Sequence, residues 1–185
     1  GSRTLLTSVD SVGSSAVQDA SVAANWELIA RLPGVQLTNF NQGTTSGKPS
    51  FRGFNGEGEV NAVKLLIDGV PANSNDGNMP YLDLVVPLGL QGMTAVRGTN
   101  DARYGLHNIA GNLDLQTRLG GNATDARLAL GPWGKVDTAV AVDREASGFT
   151  QNYAIGLRHA DGWRDHAMAD RSSLSGQWTW QPAGQ

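Results

Sequence analysis

The chain has 185 residues, of which 39% are hydrophobic and 17% charged, with a net charge of −3 and no cysteine. That is enough apolar material for a packed core, but thiolate metal sites, redox pairs and a disulfide scaffold are excluded. No basic stripe is available to hold nucleic acid. No apolar run approaches the ~20 residues that a membrane-spanning helix requires. The opening Gly1-Ser2 resembles a vector-derived dipeptide, so the native start is expected to lie elsewhere, and the lack of a leader is no argument for the cytoplasm.

In chain order, residues 1–20 read as a leading strand or ordered tail rich in Ser, Val and Ala. Ser21 is placed to cap a short helix carrying Val22, Trp26, Ile29 and Ala30 on one side. Pro33-Gly34 ends it, because proline disfavours helix before it and glycine accepts left-handed geometry. From residue 35 to 118, short apolar runs (35–37, 50–54, 63–68, 94–97 and 112–117) alternate with glycine-rich polar loops. The expected fold class here is α+β, a mixed sheet with short helices.

Around residues 119–124 the texture changes to near-strict alternation, the period of strands with two different faces. Phe149, Gln151, Tyr153, Ile155 and Leu157 fall on one face of such a strand, opposite Thr150, Asn152, Ala154, Gly156 and Arg158. Val136 to Val142, Ala126 to Leu130 and Leu174 to Trp180 behave alike, giving about four strands in a row. A soluble sandwich also alternates. Here, however, the polar faces carry many small residues, and Phe149 opens one strand where Trp178 and Trp180 close the next. Aromatics gathered at one boundary match the girdle of a membrane barrel. Residues 131–135 and 145–148 read as tight turns, and residues 160–170 as a longer polar loop.

Six short motifs follow one another in the first part: Leu-Pro-Gly-Val (32–35), Phe-Arg-Gly-Phe (51–54), Ile-Asp-Gly-Val-Pro (67–71), Val-Arg-Gly-Thr (96–99), Tyr104-Gly105 and Ala110-Gly111-Asn112. Each is weak alone. As an ordered series they resemble the plug domain of TonB-dependent outer-membrane receptors. The stretch 161–165, followed by Asp170-Arg171 and residues 177–182, is similar to the third and fourth barrel strands of that family. The resemblance implies a plug over residues 1–119 and the first four or so strands of a transmembrane β-barrel, incomplete in this chain, over 120–185. It implies residence in the bacterial outer membrane, the first strand rising from the periplasmic side, and energised import of a siderophore or other metal chelate.

In the family, arginines at two of these motif positions face glutamates on the barrel wall, which makes Arg52 and Arg97 latch residues whose partners would lie past residue 185. The apical plug loops would be 39–48, 55–61 and 72–81, offering Asn41, Gln42, Thr44, Lys48, Asn55, Glu57, Asn73, Asn75, Asp76, Asn78, Met79 and Tyr81 to a polar ligand. The implied partners are TonB, through a segment not found in residues 1–15, the nutrient and the lipid bilayer, without nucleic acid. No cofactor and no resident metal are implied.

Enzyme readings are weak. Residues 43–48 are one residue short of a phosphate-binding loop and end in Pro49. Gly53, Gly56 and Gly58 precede a strand pattern and no dinucleotide-binding helix. No Gly-x-Ser-x-Gly elbow occurs, and His107, His159 and His166 lack metal spacing. The expectation is no catalysis. Two alternatives remain: a soluble β-rich carbohydrate-binding module using Trp163, Trp178 and Trp180, and, remotely, a hydrolase built on Asp68 and Asp83.

Overall fold

A computed structural model describes residues 8–20, 22, 25–39, 47–51, 62–74, 85–98, 105 and 108–181. The chain opens with strand β1 (Ser8–Val12), two five-residue helices α1 (Ser14–Gln18) and α2 (Asn25–Ile29), and the hairpin β2 (Val35–Asn39) with β3 (Gly47–Phe51). There follow β4 (Val63–Ile67), the short β5 (Val70–Pro71), a 3-10 turn at Pro87–Gly89, β6 (Leu90–Arg97) and β7 (Gly111–Thr117). Four strands then run without interruption by helix: β8 (Ala123–Leu130), β9 (Val136–Ala146), β10 (Phe149–Ala160) and β11 (Ala169–Trp180). The leading strand is as expected. The helix α1 behind it is a correction, since five residues give no periodicity to read. Helix α2 begins at Asn25, so Val22 precedes it, and Ser21 lies outside the described residues.

The first sheet is mixed, ordered β1-β6-β7-β4-β5, with β4 and β7 parallel and the remaining pairs antiparallel. One of its faces is buried: Val63 and Leu65 of β4, Met93 and Ala95 of β6, and Leu113 and Leu115 of β7 pack on Val17, Leu28, Ile29, Leu32 and Phe51 from the helices and the hairpin. The intervening residues Lys64, Thr94, Asn112, Asp114 and Gln116 line a polar groove on the opposite face. Two of the glycine motifs have a steric cause. A Cβ on Gly111, at φ +139, would lie 2.0 Å from the Val96 carbonyl, so no side chain fits where β7 leaves β6. Gly34, at φ +70, turns the chain beneath Arg97, whose guanidinium a Cβ would meet at 2.7 Å.

The second sheet is a simple antiparallel meander, β8-β9-β10-β11, that does not close on itself. Its register puts Phe149 opposite Trp180 and Ile155 between Val140 and Leu174. A two-residue turn at Ser147 and Gly148, both at positive φ, joins β9 to β10, the geometry favoured by the right-handed twist of hairpins. At the other end, residues 161–168 form the longer loop. Among the described residues, no helix is long and apolar enough to cross a membrane, a fact that bears on helices alone.

Candidate functional site: the seam between the two sheets

The outward face of the second sheet is apolar and open to its surroundings. Leu128, Leu130, Ile155, Leu157 and Leu174 are all exposed. At the hairpin end the band is bounded by Phe149, Trp178 and Trp180, with Tyr153 edge-on to Trp178 at 5.7 Å and accepting its indole N–H at 2.9 Å. Exposed Trp133 and Trp163 stand at the opposite end, where the Asp161 amide bonds the Trp133 carbonyl. An exposed apolar band between two aromatic margins suits lipid. Trp163 therefore lies a full strand length from Trp178 and Trp180, and the three form no common stacking platform for a sugar.

The inward face is built for close approach. Ala139, Ala141, Ala154 and Gly156 leave little side chain, and Val86 and Leu88 from the 3-10 turn pack against the three alanines. A Cβ on Gly89 would come within 2.8 Å of that of Ala154. Small residues here let one sheet seat directly on the other.

Charge fixes the seat. Arg118, immediately after β7, is buried, and its Nη1 donates to Asp143 Oδ2 of β9 at 3.0 Å. Its Nη2 lies 2.6 Å from Asp125 Oδ2 of β8 as an ion pair, out of line for a hydrogen bond. Asn152 of β10 donates to Asp143 Oδ1 at 2.7 Å and exchanges hydrogen bonds of 3.3 Å with the Gly120 backbone. The Arg118 amide bonds the Gly89 carbonyl at 3.0 Å, which ties the same residue to the 3-10 turn. Further along the wall, Arg127 of β8 reaches across to the carbonyls of Gln18 (2.9 Å) and Val22 (3.3 Å), where a cation complements the C-terminal end of α1. Below, Asp68 accepts from the Thr117 amide at 2.8 Å, and Thr117 Oγ1 lies 2.6 Å from both Asp68 Oδ2 and Gln177 Oε1. One hydroxyl proton serves one of these two acceptors. Among the described residues, no group of three or more His, Asp or Glu side chains is arranged to hold a metal.

The comparisons agree with this geometry. The profile described as TonB-dependent Receptor Plug Domain matches residues 2–112. The chain belongs to the TonB-dependent receptor plug family. A curated relative, the vitamin B12 transporter BtuB of Vibrio vulnificus, is 24% identical over 115 residues, which are 62% of this chain and 18% of that protein. The pyoverdine outer membrane receptor FpvA of Pseudomonas aeruginosa superposes with a TM-score of 0.76 at 15% identity, covering 96% of this chain and 26% of FpvA. The siderophore receptor PiuA of Acinetobacter baumannii gives 0.73 at 14%, covering 96% and 24%. The chain thus spans about a quarter or less of each of these relatives. It is outer-membrane protein: a plug, followed by antiparallel strands of a barrel that is incomplete here.

Of the residues singled out in the sequence, Asn41, Gln42, Thr44, Arg52, Asn55, Glu57, Asn75, Asp76, Asn78, Met79 and Tyr81 lie outside the described residues, as does Asp83. Lys48 lies in β3. Asn73 is built into the plug's frame: its Oδ1 accepts from the Leu65 amide at 2.7 Å and its Nδ2 donates to the Val63 carbonyl at 3.3 Å, both on β4. Arg97 corrects the expectation that its partners would all lie past residue 185. Antiparallel pairing of β1 with β6 sets Ser8 opposite Arg97 and Asp10 on the same face, so the guanidinium donates to Ser8 Oγ (2.7 Å), to Asp10 and to the Pro33 carbonyl. Arg118, Arg127, Asp143 and Asn152 went unread in the sequence. For Arg127, Asp143 and Asn152 the signal is charge and amide at inward positions of strands whose inner face is otherwise small; Arg118, just after β7, carries no such signal.

Proposed function

We propose that this chain is the plug (residues 1–119) and the first four wall strands (120–185) of a receptor that imports a polar nutrient, of the metal-chelate class, through the outer membrane. The observation that carries this reading is the seam. One face of the strands is held to the plug by Arg118 and Arg127, while the other presents an apolar band between aromatic margins. The names of the relatives favour the ligand class, since PiuA is a siderophore receptor, FpvA binds pyoverdine and BtuB is a vitamin B12 transporter. The apical loops, with Asn41, Gln42, Thr44, Lys48, Asn55, Glu57, Asn75, Asp76, Asn78, Met79 and Tyr81, take the ligand by many hydrogen bonds, Asn73 holding one of those loops to β4. Arg52 is assigned the latch toward wall strands past residue 185, and Arg97 holds β1 in the plug. TonB supplies the work by pulling on a segment ahead of the plug, and the chain performs no chemistry on its cargo.

The test is growth. In an iron-starved host lacking its own receptors, the complete protein should restore growth on ferric chelates only where TonB is intact. Restoration without TonB, or none with any chelate, contradicts the proposal.

A further inference from the structure

The outward side of the wall carries a cation at its turn end. Register places Arg144 of β9, Gln151 of β10 and Trp178 of β11 in one row across three strands. The next row toward the Ser147–Gly148 turn is Ala146, Phe149 and Trp180. In the other direction the rows turn hydrophobic, with Val142 beside Tyr153 and Val140 beside Ile155. Arg144 therefore stands within the aromatic margin, the level at which such rings meet lipid headgroups.

The Arg144 side chain is exposed, yet its guanidinium is held in place. Nη1 donates to the carbonyls of Ala123 (3.1 Å) and Asp143 (2.7 Å), and Nη2 donates to Thr124 Oγ1 at 3.1 Å. All three acceptors are neutral. The carboxylates of its chain neighbours are turned to the plug side, Asp143 to Arg118 and Glu145 to the Gly121 amide. Among the described residues, the charge of Arg144 meets no carboxylate and its Nε–H is unused. Beside it, a relay fixes the Gln151 amide. The Trp178 indole can only donate, so Tyr153 accepts from it at 2.9 Å and gives its own proton to Gln151 Oε1 at 3.0 Å. That leaves the Gln151 Nε2 group as a donor in the same row as Arg144.

We infer that Arg144 and Gln151 bind the phosphate diester of a glycerophospholipid at the turn end of the wall. The phosphate supplies oxygens to Nε–H, to the remaining Nη2–H and to the Gln151 amide, and it neutralises the guanidinium. A guanidinium already fixed by three hydrogen bonds loses little further freedom on binding. The hydrophobic rows of Val142, Tyr153, Val140 and Ile155 take the acyl chains, which commits the site to a lipid over a free phosphate. The loop end has the opposite chemistry. There Asp161 and Asp170 flank the His159 ring at 3.2 and 2.6 Å, and carboxylate oxygens stand where a phosphate needs donors. The inference rests on the wall reading and adds to it a lipid of defined headgroup chemistry at one margin.

The test is native mass spectrometry of the complete receptor, released from detergent micelles doped with phosphatidylglycerol. The receptor should retain phosphatidylglycerol where diacylglycerol with the same chains is lost. Arg144→Gln should weaken the first phosphatidylglycerol bound about fivefold, as expected of one basic residue at an anionic lipid surface. Gln151→Leu should weaken it about threefold through one lost hydrogen bond, and it decides the matter if the arginine variant fails to assemble. Equal retention of diacylglycerol, unchanged retention in either variant, or full displacement of the lipid by inorganic phosphate overturns the inference. The growth assay reads import and does not depend on this lipid, so the two readings fail separately.

Discussion

The two sheets of this chain use the same two-residue period for opposite ends. In the plug sheet, Leu113 and Leu115 of β7 point into a closed core, and Asn112, Asp114 and Gln116 point to a polar groove. In the wall, Ile155 and Leu157 of β10 point outward and are exposed, while Asn152 and Ala154 point to the plug and are buried. The plug folds as water-soluble protein does. The wall is turned over, as a strand between lipid and protein must be, because a bilayer accepts apolar side chains on the outside and satisfies no backbone polar group. At the boundary between the two regimes, buried charge and small residues take over from hydrophobic packing.

Breaking that boundary should have the largest effect. Arg118→Met leaves the buried Asp143 carboxylate with Asn152 as its remaining partner, and loss of one member of a buried pair costs about 3–5 kcal/mol. Denaturant unfolding of the complete receptor in detergent should show the loss, and the double variant Arg118→Met with Asp143→Leu should recover part of it. Next comes the lipid face: Ile155→Lys, at mid-strand, should cost about 2–4 kcal/mol in barrel assembly, measured by heat-modifiable mobility, whereas Ala154→Ser on the opposite face should assemble normally. Within the plug, Gly111→Ala should cost about 1–3 kcal/mol by overpacking against the Val96 carbonyl, read as a lowered unfolding midpoint. Smallest is Asp10→Ala. Its carboxylate is part-exposed, so losing the Arg97 pair should cost at most about 1 kcal/mol. The sharper readout is faster amide exchange in β1, with β7 unchanged.

How far the sequence could be read follows from the same contrast. Long alternating segments declare their faces: the alternation alone puts outward Phe149 and Trp180 at one boundary, and β10 and β11 set them side by side. The glycine motifs were recognisable as a series, yet their reasons are tertiary. Gly34 is required beneath Arg97, and Gly111 beside the Val96 carbonyl, contacts made by residues 63 and 15 positions away. Helix α1 was hidden because one turn and a half leaves no period. Arg97 was read as short of partners because the pairing of β1 with β6 joins residues 87 positions apart. The Arg118–Asp143–Asn152 cluster was illegible for a further reason. An arginine after a strand is usually solvated, and only the docking of two sheets turns this one into a buried clamp.

The measurement that bears most directly on the central claim is a nitroxide scan along β10. This chain has no cysteine, so within residues 1–185 each introduced thiol is the one labelling site, and any cysteine elsewhere in the receptor is first replaced by serine. In the complete receptor reconstituted in bilayers, labels at positions 151, 153, 155 and 157 should collide with lipid-dissolved oxygen. Those at 152, 154 and 156 should be immobilised and shielded, giving an unbroken period of two. A scan without that alternation, or one in which both faces meet water-soluble relaxant equally, would contradict a wall strand lying between lipid and plug.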